Sequence, residues 1–370
     1  MAANTRFGFA LFSALREEQP TSNVFISPAS IAMALAMTYN GAAGETKAAM
    51  AKALSLGDMT LDTLNHANDD LRSSLAQADE DVELTVANSL WIRQGAPFAE
   101  DFLGVNEDFY GAELAELDFD SPEAADTIND WVRKESRERI DGIMEPPIDP
   151  LAVLFLINAV YFNGKWKHAF EKGDTKPADF TLLDGSTKSV HMMSQTEEFG
   201  YLDGEGFQTV SLPYGTGRLS MFILLPDRDS SLAELCEGLE AESWEAIAGE
   251  LRSREVILKL PRFTAEYEAK LNAALIALGM GVAFESERGD FSKMVAEGPP
   301  LYISKVKHKA YVRVDEEGTE AAAATSVEMR LGAAAPTEPV KVIVDRPFFC
   351  AIRDKQTGTV LFMGAIVDPE

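Results

Sequence analysis

The run at 151–162, LAVLFLINAVYF, limits the fold of this chain more than any other segment. A half-buried strand alternates apolar and polar side chains; this run does not. Its apolar residues must be covered on both sides, as in the central strand of a sheet with a layer on each face. It is too short to cross a membrane, which takes about 20 apolar residues. A sheet covered twice needs a large core, and 46% hydrophobic residues with 21 Phe and 4 Trp supply one. Asn158 is the lone amide in the run. Buried there, it needs hydrogen-bond partners from neighbouring elements.

Before this run the chain reads as helices. Phe7, Phe9, Ala10, Leu11, Ala14 and Leu15 start an apolar face. Ser27-Pro28 offers an N-cap followed by proline at the first helical position. The following ASIAMALAMTYNG has small or apolar side chains all round, so its helix is buried, with Gly41 and Gly44 closing it. Helices are expected at 60–76, 99–109 and 122–140, and a strand at 82–93. After residue 151 strands are expected at 188–193, 207–212, 219–225, 301–314, 340–344, 348–353 and 359–366. Two helices fit 231–251, and a third fits 265–278. Helices first and many strands later, without strict alternation, predict an α+β fold with mainly antiparallel sheets. No repeat or composition break divides residues 1–370, so one domain is expected.

Charge narrows the partners. Lys plus Arg number 33 against 60 Asp plus Glu, a net −27, which gives no electrostatic reason to bind nucleic acid or anionic membrane. No dense basic patch suggests a heparin-like activator. Cys236 and Cys350 are too few for a disulfide framework; they are two buried thiols or one bridge. The N-terminal stretch lacks the basic and long apolar regions of a secretory leader, so the chain as written is expected in the cytoplasm. Secretion would require a leader outside it.

The segment 315–339, DEEGTEAAAATSVEMRLGAAAPTEP, stands between two convincing strands and is 25 residues of small and polar character. A loop this long is functional or disordered; a linker or a short surface helix also fits its composition. The strand before it alternates. Tyr302, Ser304, Val306, His308, Ala310, Val312 and Val314 share one face, while Lys305, Lys307, Lys309 and Arg313 share the other. His308 therefore points to the apolar side and, like Asn158, needs partners.

Four stretches, in sequence order, resemble the serpins. NVFISPASIAMALAM (23–37) looks like their buried second helix, and INAVYFNGKW (157–166) like their asparagine-bearing strand and following Trp. HKAYVRVDEEGTEAAAAT (308–325) is similar to the strand leading into their reactive loop. DRPFFCAIRDKQTGTVLFMGAIVDP (345–369) resembles their C-terminal strand pair. The resemblance implies a serpin fold of three mainly antiparallel β-sheets, eight or nine helices and an exposed reactive-centre loop at about 316–339. It implies a suicide-substrate inhibitor, not an enzyme. A target serine protease cleaves the loop, which inserts as a strand into the main sheet and traps the protease as a covalent acyl-enzyme. No cofactor or metal is implied, and a monomer is expected.

Site residues follow from the same resemblance. The hinge is Glu316, Gly318, Thr319, Glu320, Ala321, Ala322, Ala323 and Ala324. From 316 to 326 there is no proline, so every N–H can join a sheet, and the alanines lose little side-chain entropy. Ser27, Ser30, Asn158 and His308 form the shutter, a polar cluster beneath the parting strands; a set of satisfied core polars is the plainer alternative. Trp166 marks the breach, where insertion begins. The family's count from Glu316 ends at Gly332, but Leu331 suits a chymotrypsin-like pocket better. Leu331–Gly332 is thus the expected reactive bond, with Arg330, suited to a trypsin-like pocket, as the alternative. A non-inhibitory serpin acting as chaperone, carrier or storage protein is the competing function.

An unrelated hydrolase finds little support. The chain has no G-x-S-x-G elbow, H-E-x-x-H or Walker A loop, and its four His sit in no metal motif. A Cys350–His308 pair is the one conceivable nucleophile arrangement, with a buried structural Cys the simpler reading.

Overall fold

The computed structural model describes residues 2–76, 78–95, 97–295, 301–319 and 338–369, and within these the chain forms nine α-helices and two hydrogen-bonded sheets. The larger sheet has nine strands and the smaller six. Mostly antiparallel pairing is accompanied by three parallel pairs. The larger sheet is continuous because one strand, Thr187–Gly204, runs through two layers. It pairs with Lys176–Thr181 and Arg252–Pro261 on one stretch and with Phe207–Pro213 on the next. Two of the three expected sheets are thereby joined.

The smaller sheet has Leu154–Lys165 at its centre. Lys305–Val314 lies parallel on one side, followed by Phe263–Lys270; Val82–Arg93 lies antiparallel on the other, followed by Glu113–Leu117. The apolar run divides cleanly between two cores. Leu154, Leu156, Val160 and Phe162 join the main core, which includes the helix Pro28–Tyr39, buried at every residue. Phe155, Ile157 and Ala159 join a second core under the helix Ala124–Glu135, with Trp91, Ile128 and Val132. Each fully buried large apolar side chain contributes roughly 1.5–3 kcal/mol, so the central strand is anchored from both faces. Asn158 has the parity of the main-core face.

The outer face carries a strap. On the helix Ala124–Glu135, Asn129 accepts the N–H groups of Ile143 and Met144 in the segment that follows, both at 2.8 Å. Lys307 and Lys309 on the sheet donate to the carbonyls of Ile143 and Gly142. The strap thus lies over Lys305–Val314, while the helix packs against Val82–Arg93.

One expectation fails. Residues 265–278 are not a helix: Phe263–Lys270 is a strand antiparallel to Lys305–Val314, and only Asn272–Leu275 is α-helical. Phe263, Ala265, Tyr267 and Ala269 are buried in strict alternation. The two alanines made a strand pattern look helical; cross-strand pairing decided otherwise. The strand Arg252–Pro261 was not foreseen, because its polar start RSRE hides the alternation of Val256, Leu258 and Leu260.

Candidate functional site

At the top of the smaller sheet the chain reverses direction. Lys305–Val314 ends, Asp315 N–H donates to Gly318 C=O at 2.9 Å, and Gly318 N–H donates back to Asp315 C=O. Gly318–Thr319 then runs antiparallel to Leu154–Lys165, with Gly318 opposite Lys165 and Thr319 opposite Gly164. Lys305–Val314 and Leu154–Lys165 pair only as far as Tyr311 and Tyr161. The two hinge residues therefore pair beyond the last rung between those strands. Only glycine suits position 318. Its φ is +139°, and a methyl there would meet the Gly164 carbonyl oxygen at 2.1 Å.

Side chains fasten this turn. Glu316 is buried and accepts from Arg262 Nε at 2.8 and 2.9 Å, from Arg262 Nη2 at 2.5 Å and from Thr175 Oγ1. Burial pushes its carboxyl up, but these hydrogen bonds more than offset that and hold it below the usual glutamate range. Lys172 pairs with Glu317. Trp166 Nε1 donates to Asp315 C=O at 2.9 Å, its backbone N–H donates to Glu317 C=O at 3.0 Å, and its ring stacks on Tyr214 at 4.3 Å. The expected breach residue thus bonds to the turn that carries the expected hinge residues Glu316 and Gly318.

Lower in the sheet, three polar side chains lie in one row across three strands, since Asn158 is opposite both His308 and Asn88. His308 is fully buried. Its Nε2 accepts the Ser27 backbone N–H at 3.2 Å. The neutral ring must then carry its proton on Nδ1, which donates to Asn158 Oδ1 at 2.5 Å. Asn158 Nδ2 donates to Ser30 Oγ and, at 2.6 Å, to Asn88 Oδ1. Burial lowers the His308 pKa to about 3, so the ring is neutral at ordinary pH.

All four expected shutter residues meet here. Ser27 does so through its backbone: it is the N-cap residue of Pro28–Tyr39, but its side chain makes no capping bond. Asn88 was missed. The only signal for it was an amide, beside Ser89, in a mostly apolar strand end, VANSLWI. Arg262, which clamps Glu316, carried no sequence signal at all.

Expected residues Glu320, Ala321, Ala322, Ala323, Ala324, Arg330, Leu331 and Gly332 lie outside the described residues. Cys236 and Cys350 are both free thiols, so neither bridge nor Cys–His pair exists. Both ring nitrogens of His308 are engaged elsewhere, and burial pushes the Cys350 thiol up. Among the described residues no cluster of His, Cys, Asp and Glu could hold a metal, and no helix is long and apolar enough to cross a membrane.

Comparison with known proteins converges. A family model described as Serpin (serine protease inhibitor) matches residues 2–369. The leukocyte elastase inhibitor of Sus scrofa is 38% identical over 380 residues, covering 100% of this chain and 99% of that protein. Among solved structures, the thermophilic serpin tengpin in its native state superposes with a TM-score of 0.91 at 35% identity, over 99% of this chain and 94% of that one. Human thyroxine-binding globulin superposes equally well, TM-score 0.91, at 26% identity over 100% and 98%.

Proposed function

The chain belongs to the serpin family, and from that premise we propose that its full length acts as one domain that inhibits serine proteases by a suicide mechanism. The observation that carries the reading is the reversed strand Gly318–Thr319, antiparallel to Leu154–Lys165 where Lys305–Val314 and Leu154–Lys165 no longer pair. Two rungs of an inserting strand already exist. Continued in the same register, residue 320 would fall beside Asn163 and Thr325 beside Asn158.

Such a strand separates its neighbours. Adjacent strands lie about 4.8 Å apart, and an intervening strand would move them to about 9.6 Å. The His308–Asn158 hydrogen bond cannot span that gap. The polar row is then a lock on the sheet as well as a satisfied core cluster. It must break before the loop passes, and the strap held by Lys307 and Lys309 must give way with it. A protease that cuts the loop is carried off in acyl-enzyme form while the freed strand inserts. Rapid insertion makes an inhibitor; slow insertion lets water release the protease and makes a substrate.

Leu331–Gly332 is the proposed reactive bond. Leu331 fits the primary pocket of a chymotrypsin-like protease, and the elastase named in the Sus scrofa relative belongs to the serine proteases to be tried first. The test is to mix the purified chain with chymotrypsin, elastase and trypsin and to resolve the products in SDS. A stoichiometric SDS-stable adduct with a released C-terminal peptide is expected. Catalytic consumption of the chain by every protease, with no adduct, would favour the carrier reading that the likeness to thyroxine-binding globulin keeps open.

A further inference from the structure

We propose that the groove between the strand Thr187–Gly204 and the start of Phe263–Lys270 binds a small multivalent oxyanion of the phosphate class. The groove, of about 270 Å³, is lined by Lys188, His191, Arg262 and Arg313, with the hydroxyl residues Ser189 and Thr264 among them. Backbone pairing explains the convergence. Thr264 stands opposite Arg313 in the sheet, and the Arg262 N–H donates to the His191 carbonyl at 2.9 Å. Four basic residues from neighbouring chain segments thus line one space.

The chain as a whole carries −27, but distant charges matter little here. The Debye length is about 10 Å at 0.1 M salt, so the groups in and beside the groove set its potential. Three acids stand close: Asp315 lines the groove, Asp368 holds Lys188 at 2.6 Å, and Glu316 holds Arg262. They leave many donors unused. Arg262 gives Nε and Nη2 to Glu316, and its Nη1 has no partner among the described residues. Arg313 reaches Asp315 only at 3.6 Å, and the His191 ring has no hydrogen bond among the described residues. Planar guanidinium donors match the oxygens of a tetrahedral oxyanion, and several engaged at once select a multivalent ligand over chloride.

Arg262 also ties the groove to the hinge. A ligand on its free edge and the Glu316 carboxylate share one guanidinium and repel each other, and this coupling is reciprocal. The site itself does not depend on the inhibitory reading, because it is read out by binding alone.

The experiment is calorimetric titration of the intact protein with sodium pyrophosphate, ionic strength being held constant with sodium chloride. Saturable binding is expected. Arg313→Ser, a change at a half-exposed side chain, should weaken it about tenfold, as loss of a charge-assisted donor does. Glu316→Gln should tighten it several-fold. No saturable binding, or equal affinity in Arg313→Ser, overturns the site; equal or weaker affinity in Glu316→Gln overturns the shared guanidinium.

Discussion

Acid should open the polar lock, and the magnitude follows from His308. An ordinary histidine titrates near 6.5, whereas burial holds this one at about 3. The unfolded chain therefore takes up a proton that the folded chain refuses. A depressed folded pKa gives stability that is fully present above about pH 6.5 and is lost as pH falls towards 3. Each unit is worth about 1.4 kcal/mol, so from pH 7.5 to pH 5 the loss from this one ring is about 2 kcal/mol. Geometry explains why the protein cannot simply accept the proton. A protonated Nε2 would point a donor at the Ser27 N–H, which it now accepts. Many carboxylates also titrate on the way down, so the measurement is a difference. Unfolding free energies of the native protein and of His308→Gln, which stays neutral, are compared in urea at pH 7.5 and pH 5. The gap between them should narrow by about 2 kcal/mol. Ring resonances of His66, His168, His191 and His308 give an independent check, the last assigned by its loss in the variant. A gap that is constant with pH, or a His308 ring titrating near 6.5, would refute the argument.

Three further outcomes are expected. Gly318→Ala forces a methyl within 2.1 Å of the Gly164 oxygen and should detach the hinge. The cost is about 1–3 kcal/mol, seen as a lower unfolding midpoint and slower protease trapping. Glu316→Gln removes the charge from the Arg262 clamp and should cost about 1–3 kcal/mol at neutral pH. Because the Glu316 pKa is lowered, that penalty exists above the ordinary glutamate range and fades as pH falls below it. Finally, nicking the chain between Met329 and Ala334 should raise the unfolding temperature. Insertion adds on the order of ten backbone hydrogen bonds at about 0.5–1.5 kcal/mol each; a nicked form no more stable than the intact one would mean the loop stays out.

Some of this was written plainly in the sequence. The run at 151–162 announced a strand buried on both faces, and parity placed His308 on the apolar side. Asn158 and His308 were legible because a lone polar residue in an apolar pattern stands out. Asn88 and Arg262 were not. Nothing local distinguishes an arginine that clamps a buried carboxylate from one in solvent; the distinction is made by residue 316, 54 positions away. The helix expected at 265–278 failed for the same reason, since its partner strand comes later in the chain.

The C-terminal strand pair has a consequence for biosynthesis. Phe348–Asp354 and Val360–Ile366 lie between the edge strand Val24–Ile26 and Leu219–Pro226 in the nine-stranded sheet. Synthesis proceeds from the N-terminus at about 5–20 residues per second, so this pair is made after both of the strands it joins. Until it emerges, Val24–Ile26 and Leu219–Pro226 each present an unpaired edge, and such edges are templates for other chains. The contact between Ser27 and His308, 281 residues apart, must wait almost as long. A ribosome stalled before residue 348 thus releases a chain with two sticky edges and no means of closing them.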